Sequence, residues 1–271
     1  MKHAHDNSSV SPIARAFTDA RRAGVAVAVY PGAQPLTLDA AYAIQDDAIA
    51  LWPDRIAGWK LGRVPPPLDA QFGAGRLAGP IFAKNVWPAE KGKATRFGVI
   101  DGGFAAVEAE YILELADTPT DRDGWTAESA AALVGRAFIG VEIAGSPFAE
   151  INGHGPAVTA SDFGNNAGLI LGDEIVDWRA RLADLTCATL IDGETVGTGG
   201  AASIPNGPLD SLAFLLNLLH RRGIRLEAGQ LISTGAATGV HRIFIGQSAV
   251  ADFGPDGQIA CEAVPAEGED A

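Results

Sequence analysis

Apolar positions recur at helical spacing up to about residue 55, and in short β-type runs after it. Ser11-Pro12 reads as an N-cap followed by proline at the first helical position. With Gly24 as the stop, this predicts a helix over 12–23. A second helix follows Thr37, where Leu38, Ala41, Tyr42, Gln45, Ala48, Ile49 and Trp52 share a stripe that Pro53 ends. Between them, residues 25–30 (VAVAVY) have the β-branched alternation of a strand. These elements predict a small N-terminal α/β subdomain over residues 11–57, preceded by a polar tail at 1–10 that is expected to fray.

Gly and Pro then break the chain into short β-rich runs. Arg55 to Gly62 reads as a strand entering the turn at Pro65 to Pro67, and Phe104 to Leu115 and Arg136 to Ile143 read as longer strands. Asp192-Gly193 between two such runs signals a hairpin, as does Pro255-Asp256-Gly257. One long helix interrupts the pattern: from Pro208 to Arg222 it carries Leu212, Leu215, Leu216 and Leu219 on one stripe, and Gly223 closes it. The pattern predicts an α+β fold in which residues 58–271 form a predominantly β catalytic body with flanking helices.

Composition narrows the function classes. Twenty Lys and Arg against 33 Asp and Glu give a net charge of −13, so the chain lacks the clustered cations of a nucleic-acid binder. Hydrophobic residues make up 47% and mean hydropathy is +0.13, enough for a sizeable core. No run is long and apolar enough for a membrane span or a signal peptide. Cys187 and Cys261 fit no metal or redox spacing, so the expected location is the reducing cytoplasm. An acidic protein that takes an anionic ligand needs a local source of positive charge, which a metal ion can supply.

The segment Val107 to Leu115 (VEAEYILEL) is the most informative. In a strand, Glu108, Glu110 and Glu114 share one face, with Val107, Ala109, Tyr111 and Leu113 on the other. On its own, Glu-x-Glu is an ordinary feature of a solvated strand face. Glu142 changes that, because it lies in a run (AFIGVEI, 137–143) too apolar for a surface strand, where a carboxylate needs a partner or a metal. Carboxylate oxygens suit hard divalent cations, Mg2+ or Mn2+. Lys60, between apolar neighbours in WKLG, poses the same question, with a snorkelling lysine as the ordinary alternative.

Six segments carry a family resemblance: GWKLG at 58–62, VEAEYILEL at 107–115, FIGVEIAGSPF at 138–148, SDFGNNAGLILG at 161–172, ISTGAATG at 232–239 and AVADFGPDGQI at 249–259. In this order the chain resembles the 2-keto-4-pentenoate hydratase and 4-oxalocrotonate decarboxylase group of the fumarylacetoacetate hydrolase-like superfamily. The resemblance implies a rolled, mixed β-sheet body assembled as a homo-oligomer. It puts Glu108, Glu110 and Glu142 on the metal ligands and Lys60 on the active-site lysine. Asp162, Asn165, Asn166, Thr234 and Gly235 fall on the walls of the substrate pocket. The activity implied is a lyase of aromatic-compound catabolism, which adds water to a 2-hydroxy-2,4-dienoate to give a 4-hydroxy-2-oxo acid through an enolate.

Two departures keep other outcomes open. Hydratases of the group typically carry an acid between the lysine strand and the metal strand, where this chain has Arg76-Leu77-Ala78-Gly79-Pro80. The pocket loop, usually Asp-Asn-Ala-Ser-Ser, is here Asp162-Phe163-Gly164-Asn165-Asn166. Decarboxylation, aldol cleavage or acylpyruvate hydrolysis on the same enolate remains an alternative, as does a non-catalytic 2-oxo acid binding subunit. Arg63 and Arg76 are candidates to meet a substrate carboxylate, with surface pairing as the default. His154, in the Gly-rich loop 152–155, reads either as a lid or proton-transfer residue or as a solvated loop histidine.

Overall fold

Local chemistry sets both N-terminal helices where the sequence places them. In a computed structural model describing residues 10–268, Ser11 caps α1 (Pro12–Ala23) and Thr37 caps α2 (Leu38–Leu51), each by accepting from a backbone N–H. The expected tail, residues 1–10, lies outside the described residues except for Val10. After α2 come β1 (Ile56–Arg63), α3 (Leu68–Phe72), β2 (Arg76–Phe82), β3 (Val86–Pro88), β4 (Ala94–Val99) and β5 (Phe104–Leu115). Next are α4 (Ala127–Ala131), β6 (Val134–Ser146), α5 (Pro156–Ser161), β7 (Asn166–Glu174) and α6 (Trp178–Arg181). The chain continues through β8 (Thr186–Ile191), β9 (Glu194–Gly200), α7 (Pro208–Arg221), β10 (Leu231–Ser233), β11 (His241–Arg242), β12 (Ser248–Asp252) and β13 (Gln258–Pro265).

The strands form two mixed sheets. The larger runs β2-β1-β10-β5-β6-β7-β3, with β11 also paired to β5, and the smaller runs β4-β13-β12-β8-β9. Both expected hairpins form. Asp192 and Gly193 take positive φ (50° and 86°) in the turn between β8 and β9, as a tight hairpin requires. α7 buries Leu212, Leu215, Leu216 and Leu219 in the main core, which also takes Trp59, Leu61, Val107, Ala109, Tyr111 and Leu113 from β1 and β5. The odd-numbered face of β5 is packed in this core, while its even-numbered face places Phe104, Ala106 and Ile112 in smaller apolar clusters, with Glu108 and Glu110 between them.

Residues 25–30 do not form the expected strand. Val25 and Val29 are exposed, only Tyr30 is buried, and a single ladder-like bond joins Val27 N–H to the Pro147 carbonyl. The β-branched residues extend the backbone, but one bond to the chain just past the end of β6 does not make a ladder.

Candidate metal centre

β5 and β6 bring the three glutamates together by register. Glu108 stands directly opposite Glu142, and Glu110 opposite Gly140. Like charges directly opposite on one face repel, and here they do so out of water: Glu108 is 4% exposed and Glu110 and Glu142 are fully buried. One carboxylate oxygen from each lies within 4.8 Å of the others. Glu114, on the same face, lies outside this group and pairs with Arg136 at the half-exposed strand end.

Each of the two deepest carboxylates is fixed through one oxygen. Glu110 Oε2 accepts from Ser233 Oγ (2.6 Å) and from the Gly235 backbone N–H (2.8 Å). Glu142 Oε1 accepts from Lys60 Nζ (3.1 Å) and Asn166 Nδ2 (3.1 Å). The second oxygens, Glu110 Oε1 and Glu142 Oε2, are buried with no hydrogen-bond partner. Such atoms forfeit solvation without recompense.

The ionisation of the cluster reflects this crowding. Burial, then Glu142, pushes Glu108 up to about 8. Burial, then Glu142 and Glu108, pushes Glu110 well above the usual carboxylate range, against the opposing pull of Ser233 and Lys60. Burial pushes the Lys60 ammonium down, but Glu142, Glu108 and Glu110 together outweigh it, and the net shift is upward. Lys60 is thus a buried cation, 4% exposed, and not a snorkelling surface lysine. Fully ionised, three carboxylates and one ammonium carry two net negative charges, which one divalent cation would balance. The hard oxygen donors and the two orphaned oxygens fit such an ion.

A cavity of about 650 Å³ opens above this cluster, and Lys60, Glu108, Asn165, Thr234 and Gly235 line it. Glu110 and Glu142 lie beneath. Asp162 and Asn166, expected on the wall, do not line the cavity. Asn166 supports Glu142 instead. The Asp162 carboxylate is taken up by a two-bond pairing with Arg21 of α1 (2.7 and 2.9 Å) and by Ser146 Oγ (2.7 Å). Arg21 also donates to the Asn166 and Gly145 carbonyls, so it clamps the pocket loop to β6 from behind. Gly79 of β2, in register with Lys60, lets this loop close onto β2: a Cβ there would lie 1.9 Å from the Phe163 carbonyl oxygen. His154 pairs with Glu150 and Gln34 and does not line the cavity.

Arg21→Met would strand a buried carboxylate. The expected loss is about 3–5 kcal/mol of stability, read as a fall in melting temperature of about 10 °C. A shift under a degree would mean that the clamp does not matter. Neither Arg21 nor Ser233 stood out in the sequence. A basic residue in a last helical turn is fully explained by the helix dipole, and no local pattern ties Ser233 to a glutamate 123 positions earlier.

No protein-family model matches the chain. A 2-oxo-hept-4-ene-1,7-dioate hydratase of Escherichia coli is 35% identical over 107 residues, 39% of this chain and 40% of that protein, so the match spans well under half of its length. A 2-keto-4-pentenoate hydratase of Burkholderia vietnamiensis is 26% identical over 239 residues, 85% of this chain and 88% of that protein. Among solved structures, 4-oxalocrotonate decarboxylase from Pseudomonas putida G7, complexed with calcium and acetate, superposes with a TM-score of 0.80 at 20% identity. The match covers 97% of this chain and all of that one. Fumarylpyruvate hydrolase from Pseudomonas aeruginosa, in complex with Mn2+ and pyruvate, gives 0.59 at 14% identity over 79% of this chain and 91% of that one. The fold is that of fumarylacetoacetate hydrolase-like proteins, and the resemblance to the hydratase and decarboxylase group holds in both sequence and structure.

Proposed function

We propose that the chain is a divalent-metal-dependent lyase that adds water to a 2-hydroxy-2,4-dienoate of the 2-keto-4-pentenoate type, giving a 4-hydroxy-2-oxo acid. Glu108, Glu110 and Glu142 would hold the ion, Mg2+ or Mn2+. The observation that carries this reading is the meeting of three buried carboxylates around two orphaned oxygens, with one charged lysine beside them. The names of the relatives agree with it. When bound, the ion supplies Lewis acidity to the oxygens of a 2-oxo or 2-hydroxy acid, where negative charge grows as an enolate forms.

The chain's own residues divide the remaining work. Lys60 carries a proton at Nζ inside the cavity, within reach of a developing enolate, and can deliver or take back that proton during ketonisation. Ser233, Asn166 and the Gly235 N–H hold the glutamates in position, so that little reorganisation is needed when substrate arrives. Leu77 and the neighbouring apolar wall limit the water that reaches Lys60.

One observation favours a second reading. Among the described residues lining the cavity, Glu108 is the single carboxylate, and by the family resemblance the stretch Arg76 to Pro80 holds no acid where hydratases of the group typically carry one. Without a spare base to activate water, the same enolate could serve C–C bond cleavage. Incubation with Mg2+ and a hydroxydienoate separates the two. Loss of conjugated absorbance with solvent 18O in the product supports hydration, whereas released CO2 or pyruvate contradicts it. Tight 2-oxo acid binding with no turnover across a substrate panel would point to a binding subunit.

Metal binding should depend on pH. In the metal-free protein, Glu108 and Glu110 bind protons well above the ordinary carboxylate range, and a cation must displace them. Affinity for Mn2+ is therefore expected to rise as pH climbs toward about 8, the value to which Glu108 is pushed. Calorimetric titration at several pH values would read it, and a flat profile would contradict the cluster's crowding.

A further inference from the structure

Asn166, whose Nδ2 holds Glu142 Oε1, sits where the strand ladder does not fix it. Along β6, Ile143 faces Gly168 of β7 but the next residue, Ala144, faces Asn166, so Ala167 has no opposite residue. A bulge of this kind leaves the extra residue unpaired and bends the strand locally. The three residues before Asn166 are also irregular: Phe163, Gly164 and Asn165 take left-handed φ of 50°, 62° and 65°. A bulky residue such as Phe163 keeps that conformation only where surrounding contacts impose it.

Those contacts come from α1. Arg21 reaches this point from the last helical turn, its side chain 9% exposed. One guanidinium spans both strands: Nη2 donates to the Gly145 carbonyl of β6 (2.7 Å) and Nη1 to the Asn166 carbonyl of β7 (3.0 Å). Gly145 lies on the same strand as Glu142, three residues beyond it. Asp162 accepts from Nε and Nη2 on its two oxygens, which holds the fork in place and cancels its charge. An uncancelled cation here would oppose a metal ion. The fork is planar and rigid, so it sets the gap between the strand that carries Glu142 and the residue that holds Glu142. From Gly140 to Ile143 the two strands are in register without it. Its effect is local to the bulge.

We propose that Arg21 is a positioning residue for the metal centre. Acting through Asn166, it aims the Glu142 carboxylate, and so tunes affinity for a divalent cation from a helix that lines no part of the cavity. This rests on the reading of the three glutamates as ligands of one ion. Without the fork, Asn166 is free to follow the bulge away from β6. Glu142 then keeps only Lys60 on Oε1, and its carboxylate turns toward the ammonium instead of the ion.

The test is calorimetric titration of the metal-free full chain with Mn2+ alone, each variant held well below its melting temperature so that the folded form binds. Arg21→Lys keeps a positive charge beside Asp162, and with it much of the stability, but a single ammonium cannot reproduce the planar fork. It is expected to bind Mn2+ about 10-fold more weakly than the wild type, as loss of an outer supporting partner does. Arg21→Met, where it folds, should be at least as weak. In the Asn166→Ala background, which has already lost the amide on Glu142, Arg21→Lys should lower affinity no further. Arg181→Met breaks a comparable two-bond pairing, with Asp256 (2.8 and 2.7 Å), that involves none of the glutamates' partners. It should lower the melting temperature and leave Mn2+ affinity unchanged. Wild-type affinity in Arg21→Lys, or an equal loss in Arg181→Met, overturns the positioning role and leaves the metal site standing. A wild type that binds no Mn2+ overturns the metal site, and this inference with it.

Discussion

Glu108→Gln should bind Mg2+ or Mn2+ far more weakly than the wild type while its metal-free form becomes more stable. The two effects have opposite signs because one carboxylate does two things. With a cation present it would donate a ligand oxygen, as proposed above. Losing it should cost more than the roughly 10- to 100-fold drop in affinity that follows loss of an outer supporting partner. Without a cation it is a buried acid opposite Glu142, pushed up to about 8 by burial and by that neighbour. A carboxyl whose folded pKa is raised loses stability as pH climbs through the interval between its unfolded and folded values. Metal-free wild type should therefore weaken from about pH 5 to about pH 8, and the glutamine variant should be spared that share, a few kcal/mol at most. Melting curves with and without Mn2+ read both effects. A variant that is destabilised without metal, and yet still gains as much from Mn2+ as the wild type, would contradict the assignment.

Lys60→Met should give the complementary result: the metal stays and turnover goes. The ammonium sits 3.1 Å from Glu142 Oε1 and repels any incoming cation, so its removal leaves metal affinity unchanged or raised. What disappears is the proton that Lys60 holds in the cavity, and positioned acid–base groups typically contribute about 10²- to 10⁴-fold in rate. The metal-free variant should also be less stable, because Glu142 loses its buried counter-charge and keeps only Asn166 on that oxygen. Turnover of a hydroxydienoate at saturating Mg2+, alongside a metal titration, separates the roles. Wild-type rates would remove Lys60 from the chemistry. A parallel loss of metal binding would make it a structural support of the glutamates.

How much of this was legible in the sequence depended on the range of the interactions. Alternation along residues 107–115 sorts acids from apolar side chains, because a strand's two-residue period is local and the core selects one face. Glu142 stood out because a carboxylate inside AFIGVEI has no cheap resting place. Ser11, Thr37 and Asp192-Gly193 marked element ends through hydrogen bonds and φ angles that involve only near neighbours. The hidden features all depend on long-range placement. Arg21 reaches across 141 positions to Asp162, and so turns a residue expected on the cavity wall into an anchor behind it. Residues 25–30 have strand-forming side chains but make only one bond to the chain just past β6 and no ladder. Lys60 is buried against Glu142, a residue 82 positions away, and nothing in WKLG announces that partner.

Diffraction from crystals soaked in Mn2+ and oxalate, recorded to exploit the anomalous signal of manganese, tests most directly whether the glutamates of β5 and β6 bind one ion. A single strong peak is expected at about 2.0–2.3 Å from one oxygen each of Glu108, Glu110 and Glu142, with oxalate completing the shell from the cavity side. A peak elsewhere, or none while oxalate is present, would leave the three carboxylates without a shared cation and the proposed chemistry without its centre.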